Sequence, residues 1–363
     1  MIADRLWSFW TEDKASIQRL MMRLGEREAL FEHTFALSEL GGNEVQAFEA
    51  RTNQCPLRLN SRNRIQFQHD LASEWARFQR LKEIADDTAR WAVLATNPLW
   101  NGALRMLGQL LLRDQKGGLN AWDVAFSEAE QIKEKAPLAS DILLDALFLD
   151  PNAEAFLDER AELLFANNAT LLARLLLRFE HVATVPGINP SALDASSLTK
   201  LYLEARFRTP ILGRWPAIAR FLAKHRERIA ELMLPVVSRL AERWLTSLPL
   251  TVGTGHLVPF RKEFAWLALD GARALQLGQA KRIIFLGDFE EPIYSAAFSA
   301  ARDLPDEVCE WALEVAQRRK LKADIAKKLK LTGPRRPRSI VNGWLRTRII
   351  GRGMNSGGIR LYR

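Results

Sequence analysis

The amino-acid sequence predicts a mainly α-helical protein that contains one small β-hairpin. Amphipathic segments of helical spacing, bounded by Pro, Gly or polar residues, recur along most of the 363 residues. Alternating strand-like residues occur in one place, near residues 56–67, and we expect strand to be confined to it. Paired helices of about 12 to 20 residues over about 200 residues favour an irregular, HEAT-like α-solenoid. No strict period is visible, which disfavours regular TPR or ankyrin repeats.

The N-terminal third contains the most informative stretch. Two strands are predicted around the turn Asn60-Ser61-Arg62-Asn63, and a helix follows at His69-Asp70. Leu71, Trp75 and Phe78 have the i, i+4, i+7 spacing of one buried helix face. Asp70 is expected to cap this helix. His69 then lies at a strand-to-helix corner beside backbone N–H groups that suit an anion.

Residues 120–208 predict successive helices. The first begins at Asn120 or Asp123 and runs to Lys135, where Pro137 stops it. Two more are expected at 141–148 and 153–165, the latter opened by Pro151. Asn167 and Asn168 interrupt the pattern before a further helix at 171–179. A Pro/Gly loop at 186–190 precedes a helix pair that ends near Arg208.

Residues 215–320 continue the pattern. Four further amphipathic segments are expected, at 215–225, 229–248, 260–277 and 292–301. A last helix begins after Asp303, which is placed to cap it, with Pro305 in the first turn. That helix is expected to end at Arg318-Arg319-Lys320, whose positive charges suit the negative end of the helix dipole.

The corner at His69 resembles the His-Asp signature of STAND NTPases, the signalling ATPases that include NACHT proteins and plant immune receptors. The tripeptide reads Gln68-His69-Asp70, so the first position departs from the plant form. The following Leu71-xxx-Trp75-Ala76-Arg77-Phe78 is similar to the bacterial branch, and Arg5-Leu6-Trp7-Ser8-Phe9-Trp10 looks like the end of an ATPase lid. The resemblance covers roughly the first third of the chain.

This resemblance implies a winged-helix domain in which His69 and Asp70 sense nucleotide, since the family's His contacts the β-phosphate of bound ADP. Together with the helical pattern and the basic C-terminus, it gives three predicted domains. Residues 1–115 form an ATPase-lid/winged-helix-like domain, 116–320 the helical-repeat domain, and 321–363 a basic, disordered tail.

The chain contains no phosphate-binding loop. Such a loop needs G-x-x-x-x-G-K-[ST], and no Gly-Lys dipeptide occurs in the sequence. No Walker B strand stands out either, so we expect no ATPase activity and no bound ADP or ATP from this chain alone. The chain is then the segment downstream of an ATPase core, as a truncated or split product or as one half of a two-chain system.

Composition indicates a protein of the cytoplasm. No apolar run approaches the roughly 20 residues of a membrane span, and the N-terminus lacks the apolar core of a signal peptide. Cys55 and Cys309 are the only cysteines, too few and too far apart for a disulfide framework or a zinc site. No metal and no self-contained catalytic site is expected.

Positive charge is concentrated at the C-terminus. Residues 318–363 hold fifteen Lys and Arg and one acid, a charge of +14, so the total of +9 leaves −5 for residues 1–317. Arginines around one tryptophan can bind single-stranded nucleic acid, with the ring stacked on bases and the arginines on phosphates. The candidate residues are Arg335, Arg336, Arg338, Trp344, Arg346 and Arg348. The same composition also arises when the end of a GC-rich gene is read out of frame.

Two functional hypotheses follow. The first is a non-catalytic regulatory and sensor segment of a STAND-type switch in bacterial antiphage or stress signalling. Its partners would be an NTPase core in cis or in trans, a phage-derived protein trigger and further copies of the chain in a homo-oligomer. The alternative is a stand-alone α-solenoid scaffold or nucleic-acid-binding adaptor, in which the His-Asp pair is only structural.

Overall fold

The computed structural model describes residues 2–187, 196–200, 208–232, 235–247, 258–276 and 290–328. These residues are mainly helical, as the sequence predicts. The chain divides into two compact units, Met1–Val308 and Cys309–Arg363. The predicted domain boundaries after residues 115 and 320 stay predictions.

The N-terminal part combines helices with a three-stranded antiparallel sheet. Its helices are α1 (Ile2–Thr11), α2 (Ala15–Glu28), α3 (Gly42–Glu49) and α4 (Asp70–Glu83), and its strands are β1 (Phe35–Ala36), β2 (Leu57–Leu59) and β3 (Arg64–Phe67). The strand order is β1-β3-β2, with Phe35 opposite Ile65 and Leu57 opposite Phe67. The predicted hairpin is therefore confirmed.

The hairpin turn and the N-terminal core follow from local sequence. Asn63 adopts a left-handed φ of 55°, which asparagine tolerates, and the Asn60 side chain accepts bonds from the Arg62 and Arg64 amides. Leu24, Phe35 and Ile65 are fully buried between the helices and the sheet. Gly25 lets α2 approach α4 closely, because a Cβ there would lie 3.0 Å from the Ala76 Cβ.

A helical array follows. Its first helices are α5 (Thr88–Ala92), α6 (Asn101–Leu111), α7 (Ala121–Gln131), α8 (Ala139–Leu149), α9 (Ala153–Glu159) and α10 (Ala161–Val182). Then come α11 (Trp215–Lys224), α12 (Arg226–Leu232), α13 (Pro235–Ser247), α14 (Val258–Gln276), α15 (Glu290–Ser299) and α16 (Pro305–Lys328). Each helix packs mainly on near neighbours in sequence: α4 on α6, α6 on α8, α8 on α10 and α13 on α14 and α15.

Several predicted helix boundaries are corrected. The α7 helix begins as predicted, where the Asn120 side chain accepts from the Trp122 amide, but it ends at Gln131. A helix predicted over 229–248 is two helices, α12 and α13. The last helix continues past Arg318-Arg319-Lys320 to Lys328. Asp303 has another role than the predicted cap, since both its carboxylate oxygens accept hydrogen bonds from Arg261.

Strand also occurs outside the predicted hairpin, so its confinement to residues 56–67 was wrong. Besides β1, the described residues contain two short ribbons, β4 (Gln115–Lys116) with β5 (Leu119–Asn120) and β6 (Thr184–Pro186) with β7 (Arg208–Pro210). Arg208, predicted at a helix end, starts β7. Two- and three-residue strands lack the length for an alternating pattern, which explains why periodicity missed them.

The α10 helix is interrupted at the predicted asparagines. Ala166 is extended, with ψ of 155°, and Asn167, Asn168 and Ala169 adopt left-handed φ values of 52°, 58° and 56°. Left-handed backbone costs an L-residue roughly 1–2 kcal/mol, less for asparagine. Ala169 is nevertheless fully buried. The interruption is therefore held by packing and not by glycine.

We expect Gly108→Val to lower the free energy of unfolding by about 1–3 kcal/mol. A Cβ at Gly108 on α6 would lie 2.9 Å from the Ala146 Cβ on α8, nearer than such atoms approach. Urea denaturation measures the effect, and adding Ala146→Gly should recover part of it. Gly42→Val is the control, because a Cβ at Gly42 meets nothing within 4 Å. Equal losses in both variants would show that close packing of α6 on α8 is not responsible.

Candidate functional site

Two surface features are candidates for function. One is the corner at His69, between the central strand β3 and helix α4. The other is an open groove between α7 and the start of α10, which sequence patterns did not reveal.

The corner at His69 presents polar side chains to solvent. His69 is the N-cap residue of α4, with φ −142° and ψ 139°, and its side chain makes no capping hydrogen bond. Asp70 is the first helical residue, so the prediction that Asp70 caps the helix was wrong. Both side chains are exposed. Because the first N–H groups of a helix lack intrahelical partners, the backbone at this corner carries partial positive charge, which the exposed Asp70 carboxylate opposes.

The α4 helix is buried one turn further on. Trp75 and Phe78 are buried as predicted, and the Trp75 ring lies 5.5 Å from that of Trp10 on α1. Leu71 is 48% exposed, so its place on the predicted buried face was wrong. A leucine in solvent beside His69 and Asp70 gives the corner an apolar contact as well as a polar one.

Glu74 links this corner to the helical array. A Cβ at Gly102 would lie 1.1 Å from the Glu74 carboxylate oxygen, so that side chain occupies the space directly over the first turn of α6. A carboxylate there is stabilised by the positive end of the α6 dipole. With its carboxylate in this position, Glu74 brings the His69 helix into contact with the array over Gly102.

The groove between α7 and α10 has a volume of about 580 Å³. Its lining residues are Asp123, Phe126, Ser127, Glu130, Gln131 and Leu163. Five of these six lie along one face of α7, at spacings of three, four and seven residues. Leu163, which is 43% exposed, supplies the opposite wall from α10. The helical spacing of Asp123, Ser127 and Glu130 was visible in the sequence, but nothing there showed that an open space faces them.

Arginines neutralise the carboxylates of this groove. Arg160 donates to both oxygens of Asp123, at 2.9 and 3.1 Å, and its guanidinium lies 5.0 Å from the Trp122 ring. Arg174 donates to Glu130 at 2.8 Å. Burial raises the pKa of Glu130, but the hydrogen bonds from Arg174 and Ser140 outweigh it, so that pKa lies below its ordinary value. These paired groups suit binding better than proton transfer.

An aromatic cluster lies behind the start of α10. The His225 ring lies 5.1 Å from Phe165 and 4.8 Å from Phe221, and its buried Nε2 has no hydrogen-bond partner. Burial lowers the pKa of His225 below its usual 6.5, and nearby charges add smaller effects of both signs. The ring is therefore neutral at pH 7 and acts there as an aromatic packing group.

Other sequence predictions have these outcomes. The candidate nucleic-acid residues of the tail, Arg335 to Arg348, lie outside the described residues. Within the described ranges no cluster of three His, Cys, Asp or Glu could hold a metal ion. Cys55 is buried, Cys309 is exposed, and both are free thiols. In the same ranges every helix is too short or too polar to cross a lipid bilayer.

Comparison of the chain with family models, with curated protein sequences and with solved structures gives no match.

Proposed function

We propose that the chain is the regulatory and sensor segment of a STAND-type NTPase switch, without catalytic activity of its own. In this proposal an NTPase core, in cis or in trans, binds ADP, and His69 reaches its phosphate from the end of a winged helix. The observation that carries the proposal is the exposed, uncapped corner at His69, directly after the central strand of the sheet. The helical array would detect a trigger or hold an oligomer.

The element order of the N-terminal part supports a winged helix. Helix α2, strand β1, helix α3 and the hairpin β2–β3 follow one another, and the sheet order β1-β3-β2 places the last strand in the centre. In DNA-binding winged helices the helix before the hairpin reads the groove with the help of basic residues. Here α3 carries Glu44 and Glu49 and neither Lys nor Arg. This composition favours contact with protein over contact with DNA.

Three features of the corner suit contact with a core that holds a nucleotide. The backbone N–H groups of Asp70 and Leu71 stand at a helix start, where anions are stabilised. His69 is exposed and free of a capping bond, so its ring is available to donate a hydrogen bond. The exposed Leu71 offers a contact for an apolar surface of the core. In a complete switch the NTPase core and its nucleotide would contact the N–H groups, His69 and Leu71 at the same time.

The test is reconstitution with a nucleotide-binding core. The polypeptide encoded immediately upstream of this chain is co-expressed with it, and the nucleotide in the purified complex is measured. We expect a P-loop in that polypeptide, ADP in the complex, and no ATP hydrolysis by this chain alone. An upstream region without a P-loop or Walker B element would contradict the proposal and favour the scaffold hypothesis.

His69→Ala should weaken ADP retention by this complex by roughly ten- to a hundred-fold. A charge-assisted hydrogen bond contributes roughly 1.5–3 kcal/mol. Its loss should shift the equilibrium between the closed, ADP-bound state and the open state by roughly ten- to a hundred-fold. The shift should also activate signalling without a trigger. Gln68→Ala is the matched control, since Gln68 is a neighbouring exposed side chain. Equal ADP retention in both folded variants would rule out His69 as the sensor.

A further inference from the structure

A ladder of three ion pairs joins α9 and α10 to α11 and α12. Arg220 donates to Glu154 at 2.7 Å, Lys224 to Asp158 at 2.6 Å, and Arg228 to both oxygens of Glu162 at 2.8 and 3.1 Å. Each pair joins residues 66 apart, and each side of the ladder repeats every four residues. One side is wholly acidic and the other wholly basic.

The ladder ends at the interruption of α10. Glu162 and Phe165 belong to the short helical segment 161–165, which the left-handed residues 167–169 separate from 170–182. The Arg228 guanidinium lies 4.2 Å from the Phe165 ring, which also contacts His225. The segment 161–165 is therefore held by an exposed ion pair and by buried aromatic contacts. Both kinds of contact come from α11, α12 and the residue between them.

The sequence of α10 is compatible with a single unbroken helix. Residues 161–182 contain neither Pro nor Gly. Phe165, Ala169, Leu172, Leu176 and Phe179 follow at spacings of four, three, four and three, one continuous apolar stripe across the interruption. All five are buried. Asn167 and Asn168 tolerate left-handed backbone, but nothing in the sequence requires it to extend to Ala169, so contacts elsewhere must help to maintain the interruption.

We propose that this ladder is an ionic latch that holds α10 in its interrupted form, and that its release lets residues 161–182 straighten into one helix. Exposed ion pairs are individually weak and are screened by salt, which suits a contact that must open. The pair Arg228–Glu162 holds the segment 161–165 directly, and the other two pairs hold α9, which leads into that segment. Straightening relieves the left-handed backbone of Asn167, Asn168 and Ala169.

The same movement would reshape the groove. Leu163 lies in the latched segment and forms the wall of the groove opposite α7. Arg160, directly before that segment, is the residue that neutralises Asp123 in the groove. A ligand that fits the groove only with Leu163 in its present place would favour the latched form, because it binds one state better than the other. The latch thus links a surface ladder to the shape of a binding groove.

The experiment measures amide hydrogen exchange in residues 167–173 of the full chain. Because a straight helix gives each of these amides an i−4 carbonyl partner, the triple variant R220E/K224E/R228E should slow their exchange at least ten-fold. Adding E154R/D158R/E162R reverses both sides of the ladder and should restore wild-type exchange. Reversing three other exposed basic residues, Lys135, Lys262 and Arg302, gives a control of equal charge change.

Two further measurements do not depend on charge-reversed variants folding well. In wild-type protein, protection of the same amides should rise as NaCl is increased from about 0.05 to 1 M, because the Debye length shortens. Ala169→Gly stabilises the left-handed residue and should abolish that rise. Unchanged or faster exchange after latch release, in the variant and in salt, would overturn the proposal, since the ladder would then only add stability.

Discussion

Replacing Arg261 with methionine is expected to lower the free energy of unfolding by about 3–5 kcal/mol. Arg261 is 2% exposed and donates to both oxygens of Asp303, at 3.0 and 2.8 Å, and to the Leu245 carbonyl at 3.1 Å. It therefore joins α14 to the end of α13 and to the turn before α16. The methionine fills most of the volume but leaves the Asp303 carboxylate without its cation.

Urea denaturation followed by circular dichroism measures this loss. The double variant R261M/D303N removes the unpaired charge and should recover a substantial part of the stability. Arg302→Met, at an exposed neighbouring arginine, should change it by less than about 0.5 kcal/mol. If R261M and R302M behave alike, the ion pair contributes nothing beyond surface charge.

Sequence patterns predicted the helices better than the surfaces they create. The α8 helix, the hairpin at residues 56–67 and the interruption at Asn167 and Asn168 all follow from periodicity and from local backbone preferences. Asp70 and Asp303 show where that reasoning fails. Each has the residue type and position of a cap, but α4 begins one residue earlier than expected, and Arg261 engages Asp303 from 42 residues away.

The groove illustrates a second limit. Asp123 and Glu130 could be placed on one face of α7 from spacing alone. Their arginine partners are 37 and 44 residues distant, and Leu163 reaches the groove because α10 folds back beside α7. Contacts of this kind depend on how helices are arranged in space, which no local pattern specifies. The same holds for the ladder, whose constant offset of 66 residues becomes meaningful only once α9 lies beside α11.

The second large effect is expected at Asp145, a fully buried carboxylate on α8. Arg178 on α10 donates to both of its oxygens, at 2.9 and 2.6 Å, and Arg105 on α6 donates at 2.9 Å. The two arginines are 21% and 29% exposed, so either can be removed while the other still neutralises the anion. We therefore expect Arg105→Met or Arg178→Met alone to cost about 1 kcal/mol.

Removing both arginines should cost about 3–5 kcal/mol, more than the sum of the single losses, because a buried carboxylate then lacks any counter-ion. A double-mutant cycle in urea measures this coupling. Adding Asp145→Leu to the double variant should recover most of the loss, since an apolar side chain of similar size needs no counter-ion. If the two single losses add and leucine rescues nothing, the arginines contribute through packing of their alkyl chains. The helices α6, α8 and α10 would then be held together without the charge at their centre.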